Sequence, residues 1–247
     1  MKADRSVQSA VRVGCAGWSI PRPSADRFPP GASHLERYAL VFTAVEIDSS
    51  FYRDHEPETY ARWAAATPPQ FRFAVKLHRE ITHFGRLVRV TAPLSRTLAT
   101  IEPLGRKMGP LLVQLPPSLG FDARRADAFF RTLRRRHRGQ VVCEPRHATW
   151  FTDAAGALLR RHRIGRVAAD PAPVPAAGEP GGWPKVVYYR LHGSPQMYYS
   201  AYSDDFLGQL ATKVRAVKQG ATVWVIFDNT AAGAAIENAL ALLEKLP

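Results

Sequence analysis

The chain has 247 residues, 46% of them hydrophobic, with 34 Lys and Arg against 21 Asp and Glu and a net charge of +13. That length fits two small domains or one large α/β barrel of about 250 residues, with enough apolar content for a sizeable core. No run approaches the ~18 apolar residues of a membrane helix, the first ten residues lack the apolar stretch of a signal peptide, and Cys15 and Cys143 lie too far apart for C-x-x-C spacing. A cytoplasmic chain that stays off the membrane, with both thiols reduced, is therefore expected.

Taken in chain order, short apolar runs alternate with helical patterns. A strand "VRVGC" from Val11 leads to a helix "SHLERYALVF" capped by Ser33. A strand "TAVEID" from Thr43 leads to the helix "EPETYARWAAAT", which stops before Pro68. A strand "FRFAVK" from Phe71 precedes "TAPLSRTLATIEPLGRKMG", in which Pro103 predicts a break. "LLVQLP" from Leu111 and "VVCEP" from Val141 are strands followed by helices capped by Asp122 and Thr152. "GRVAAD" from Gly165 leads into "PAPVPAAGEPGGWPK" (171–185), too rich in Pro and Gly for a helix. "VVYYRLH" from Val186, a helix capped by Ser203, "TVWVIFDN" from Thr222 and a last helix "TAAGAAIENALALLEKL" complete the order. Strands alternating with helices imply a parallel sheet, and eight strands imply a closed barrel. The expected fold is α/β: a single (β/α)8 TIM-type barrel over 1–247, with a tail at 1–10 and the helix between strands six and seven replaced by a Pro/Gly-rich loop.

Reading the strands by twos separates their faces. Val45 and Ile47 oppose Ala44, Glu46 and Asp48; Phe73 and Val75 oppose Ala74 and Lys76; Val187, Tyr189 and Leu191 oppose Tyr188, Arg190 and His192. One face is apolar throughout, and the other turns polar toward the C-terminal end, where such barrels build their active sites. Glu46, Glu144 and His192 are the candidate acid–base groups. Candidate substrate contacts are Trp18, Asp48, Lys76, Gln114, Arg146, His147, Trp150, Asp170, Arg190, Tyr198, Asp228 and Asn229. So many ionisable groups at one desolvated mouth are costly unless paired or used. The plainer alternative is an internal salt-bridge network, with Glu144 expected beside Arg190 or Lys76.

The motifs "GCAGW" (14–18), "VEIDSSFY" (45–52), "FRFAVK…ITH" (71–83), "GPLLVQLPP" (109–117), "EPRHATW" (144–150), "YYRLHG" (188–193) and "FDN" (227–229) resemble, in this order, the YecE-like family, a domain of unknown function. The resemblance implies a TIM-type barrel and no particular activity. Asp48 and Asp228 stand where it leads one to expect Asn.

Three functions compete. An enzyme acting on a phosphate-bearing substrate would use Lys76, Arg146, Arg190, His147 and His192 on the anion, a carboxylate as base, and Trp18, Trp150, Tyr198, Tyr199 and Tyr202 as stacking faces. A divalent metal is the less favoured cofactor: the residues lack H-x-x-x-H or H-x-E-x-H spacing, and the interleaved cations would repel it. A glycoside hydrolase would need two of Glu46, Glu144 and Asp170 across one bond. A non-catalytic nucleic-acid binder would draw on the arginine runs at 131–138 and 160–163, which otherwise read as solvated helix ends complementing the helix dipole.

Overall fold

The computed structural model describes residues 10–246, so most of the expected N-terminal tail lies outside the described residues. Strand β1 spans Ala10–Cys15, β2 Ala44–Ile47, β3 Arg72–Lys76, β4 Met108–Gln114, β5 Val141–Glu144, β6 Gly165–Arg166, β7 Ala168–Asp170, β8 Gly181–Gly182, β9 Val186–Leu191 and β10 Thr222–Phe227. Helix α1 spans His34–Val41, α2 Pro57–Ala65, α3 Thr91–Ile101, α4 Ala123–Arg136, α5 Asp153–Arg161, α6 Asp204–Arg215 and α7 Ala234–Glu244. The caps act as their sequence requires: the side chains of Ser33, Asp122, Thr152 and Ser203 accept from the amides of Glu36, Arg125, Ala155 and Phe206. At Pro103 the α-helix has already given way to a 3-10 turn over Glu102–Lys107.

The strands form two sheets, β1-β10-β9-β7 and β2-β3-β4-β5-β6-β8. Every pairing is parallel except that of β6 with the two-residue β8. Val167 separates β6 from β7, and its amide donates to Cys143 O, so the "GRVAAD" run passes from one sheet to the other. At the opposite seam, Ala16 bridges in parallel to Glu46. There Tyr38 stands between β1 and β2: its hydroxyl donates to Ala44 O at 3.0 Å and accepts from Cys15 N at 2.7 Å. Gly14 makes this approach feasible, because a Cβ there would lie 2.0 Å from Ala44 O. The stretch 171–185 contains a 3-10 turn at Pro175–Gly178 and β8, and no longer helix.

The outward strand residues pack with the helices in one large core that includes Val45, Phe73, Val113 and Tyr189. The inward residues form a second apolar cluster of Ala44, Ala74, Leu112, Val142, Val167, Val186, Tyr188, Trp224 and Ile226. This cluster fills the space beneath the C-terminal strand ends and sets the floor on which the polar residues stand. Among the described residues, no helix is long and apolar enough to cross a membrane.

Candidate functional site

One step beyond the apolar floor, the inward face turns ionic, and Arg190 is its hub. It is fully buried on β9. Its Nη2 donates to Glu46 Oε1 at 2.7 Å and lies 3.1 Å from both Asp48 Oδ1 and Asp228 Oδ2; Nη1 reaches Glu144 Oε2 at 3.4 Å. Burial opposes charge on this guanidinium, but Asp228, Glu46 and Glu144 more than offset it and raise its pKa well above the ordinary value. Glu46 is also held from below, where the Tyr188 hydroxyl donates to its Oε2 at 2.6 Å. Burial raises the Glu46 pKa above the usual carboxylate value despite the contact with Arg190.

Glu144 is the second node. Its Oε1 lies 2.5 Å from Arg146 Nη2 and 3.0 Å from His192 Nε2, and Gln114 Nε2 donates to Oε2 at 3.2 Å. Burial pushes the Glu144 carboxyl up, yet Arg146, Arg190 and His192 outweigh it and hold the group well below the usual range. Asp228, also buried, is lowered in the same way by Arg190 and His192. The Asp228 Oδ2 to His192 Nδ1 distance is 2.9 Å, and Arg146 Nη2 lies 2.6 Å from His192 Nε2. Nδ1 thus faces Asp228, while Nε2 faces both Glu144 and Arg146, so which nitrogen donates depends on the tautomer.

Lys76 pairs with Asp48 at 2.8 Å and sits 4.2 Å from the centre of the Phe51 ring. It does not reach Glu144; that carboxylate is taken by Arg146, Arg190, His192 and Gln114. Above the cluster, the partly exposed ring of Tyr198 meets His192 edge-on at 5.8 Å. Beside it, Trp18 and Tyr52 wall a groove of about 560 Å3 that also exposes Asp48, Ser49 and His34.

The structure thus gathers Glu46, Asp48, Lys76, Gln114, Glu144, Arg146, Arg190, His192 and Asp228, with Trp18 and Tyr198 at the edge. Five of the expected residues have side chains engaged within the fold. Glu46 has both carboxylate oxygens engaged, by the Tyr188 hydroxyl and by Arg190. Asp170 turns away and accepts from the Tyr202 hydroxyl at 2.9 Å. Asn229 is buried, and its Nδ2 is spent on Ser200 O and Asn238 Oδ1, tying the loop after β9 to α7. His147 caps the 3-10 turn at Ala148–Phe151, accepting from Thr149 N. Trp150, in that turn, is buried, with its indole N–H donating to Leu119 O. Tyr188 is the residue that sequence reading passed over, although it shares the parity of Arg190 and His192.

The mouth is not basic: three cations, Lys76, Arg146 and Arg190, face four carboxylates, Glu46, Asp48, Glu144 and Asp228. Among the described residues, no group of three or more His, Cys, Asp or Glu is placed to hold a metal ion. The acidic side chains converge on Arg190. Cys15 and Cys143 are buried and unpaired, and burial pushes the Cys15 thiol up to about 12.

Comparison with known proteins agrees with this arrangement of strands. Over 110 residues the chain is 30% identical to the UPF0759 protein YecE of Escherichia coli K12, covering 44% of this chain and 39% of YecE, well under two thirds of that relative's length. In structure it resembles a DUF72 family protein of Enterococcus faecalis V583, with a TM-score of 0.81, 23% identity, and 96% and 95% of the two chains covered. It also resembles a xylose isomerase-like TIM barrel/4-hydroxyphenylpyruvate dioxygenase fusion protein, with a TM-score of 0.53, 14% identity, and 96% of this chain and 42% of that one covered. These two likenesses show the fold alone. A family model described as protein of unknown function DUF72 matches residues 12–247, and the chain therefore belongs to the DUF72 family, with an α/β fold of the TIM-barrel type.

Proposed function

We propose that the chain is an enzyme built on a single closed (β/α)8 barrel, and that it acts on a phosphate-bearing substrate by general acid–base chemistry centred on His192. The observation that carries this reading is the chain Asp228–His192–Arg146 at the C-terminal strand ends, with distances of 2.9 and 2.6 Å. With Asp228 on Nδ1, Nε2, which lies beside Glu144 and Arg146, is the nitrogen that exchanges a proton with the substrate. Glu144 stays ionised and serves to orient Arg146 and His192. Lys76 and Arg146, held by Asp48 and Glu144, are the cations that turn to the anion when it displaces these carboxylates. His192 is fully buried, so substrate entry requires Tyr198 and Arg146 to move aside. A glycoside hydrolase is less well supported, because Glu46 lies under Arg190 and Asp170 faces Tyr202.

The test is calorimetric titration with inorganic phosphate, together with turnover of p-nitrophenyl phosphate. Arg146→Ala and Lys76→Ala should each weaken phosphate binding about tenfold or more, an effect of the order of one charge-assisted hydrogen bond. His192→Gln should bind phosphate but abolish turnover. Phosphate affinity unchanged by both cation variants would refute the reading.

A further inference from the structure

The charge that the mouth lacks lies at the other end of the molecule. A cleft of about 530 Å3 opens on the face opposite the mouth. Arg134, Arg138, Arg161, Arg163, Gln140 and Trp183 line it. They come from the ends of α4 and α5 and from the residues just before β5, β6 and β9, so they sit at the N-terminal strand ends.

Among the described residues, no carboxylate lines the cleft. The nearby Asp127 is already engaged by Arg131, Arg161 and His162. Arg134 is spent on backbone, donating to the carbonyls of His162, Gly139 and Arg163, which fixes the cleft wall while leaving its charge without an anion. Arg138 and Arg163 are exposed and form no ion pair among the described residues. Trp183 packs one part of its indole against the inner apolar cluster and turns the rest to the cleft.

The geometry points to this cleft as a binding site for single-stranded nucleic acid. Unpaired guanidiniums meet successive phosphates, and a half-exposed indole offers a face on which an unpaired base stacks. A concave cleft of this size takes in a nucleotide, whereas a duplex keeps its base faces covered. The site is separate from the mouth, so this inference stands or falls independently of the reaction proposed there.

The test is fluorescence anisotropy of a labelled oligothymidylate between 50 and 200 mM salt. Binding should weaken as salt rises, with each phosphate contact contributing about −0.7 to the log–log slope. Arg138→Gln/Arg163→Gln should weaken binding at least tenfold at the lowest salt and reduce the slope by about 1.4, the share of two contacts. Both positions are exposed, so folding should be spared. Phosphate titration at the mouth should be unchanged in this variant, which separates a failure here from a failure of the catalytic reading. Affinity and slope unchanged in the double variant would overturn the proposal. So would equal affinity for a duplex of the same length, or binding to phosphatidylglycerol vesicles without binding to the oligonucleotide.

Discussion

Replacing Arg190 with Ala is the sharpest test of how the mouth is held together. In the parent, one buried guanidinium faces Glu46, Asp48, Glu144 and Asp228. Removing one partner of a buried ion pair costs ~3–5 kcal/mol, because the remaining charge is left unmatched. Here several carboxylates lose the same partner and an arginine-sized space opens, so the upper end, about 5 kcal/mol, is expected. At ~2–4 °C per kcal/mol for a chain of this size, the melting temperature should fall by roughly 10–20 °C at pH 7. The pH dependence has a definite sign. Without Arg190, the buried carboxylates keep their desolvation and gain mutual repulsion, so their folded-state pKa values rise above the unfolded ones. Groups raised in this way favour the fold only while protonated, and that contribution is lost as pH rises through the raised values. The gap between parent and variant should therefore narrow from pH 7 to pH 5. Thermal melts followed by circular dichroism at several pH values provide the measurement. A variant that melts within about 2 °C of the parent, or a gap that widens on acidification, would refute the reasoning; the 2 °C limit corresponds to under ~1 kcal/mol.

Tyr188→Phe removes one buried hydrogen bond to the Glu46 carboxylate and should cost about 1.5–3 kcal/mol, read from the urea midpoint. The folded pKa values of Glu144 and Asp228 lie below the unfolded ones, so their stabilisation is complete above about pH 4.5 and fades as pH falls further. Glu144→Gln should accordingly flatten the drop in melting temperature between pH 5 and pH 3, and an unchanged slope would count against the assignment. Gly14→Ala would drive a methyl into Ala44 O and the Tyr38 hydroxyl, and should lower the melting temperature more than any other single methyl addition in β1. Trp150→Phe should destabilise the chain through the lost bond to Leu119 O while leaving phosphate affinity unchanged.

Much of the mouth was legible from strand parity alone, once one inward residue of each strand is known. Counting by twos from the inward Ala44 gives Glu46 and Asp48; from Ala74, Lys76; from Leu112, Gln114; from Val142, Glu144 and Arg146; from Tyr188, Arg190 and His192; and from Trp224 and Ile226, Asp228. Every one of these nine joins the buried cluster. Asp170 stands three residues from the inward Val167, His147 three from Glu144 and Asn229 three from Ile226, and each of these is found engaged elsewhere. The same count that found the cluster therefore places outside it three residues that proximity to a strand end had admitted. Parity cannot say how deep a residue sits or which partner it meets, because these depend on register between strands. Gln114 opposes Glu144 directly, and so binds it. Lys76 lies one strand further round, beside β2, and so takes Asp48. Composition was the least informative about the mouth. An excess of arginine at helix ends says nothing about a mouth built at the C-terminal strand ends, and in this fold the two lie on opposite faces. A cluster of nearly balanced charge can then hold a polar site together in a strongly basic chain, while the unpaired arginines remain available to a different ligand at the other end.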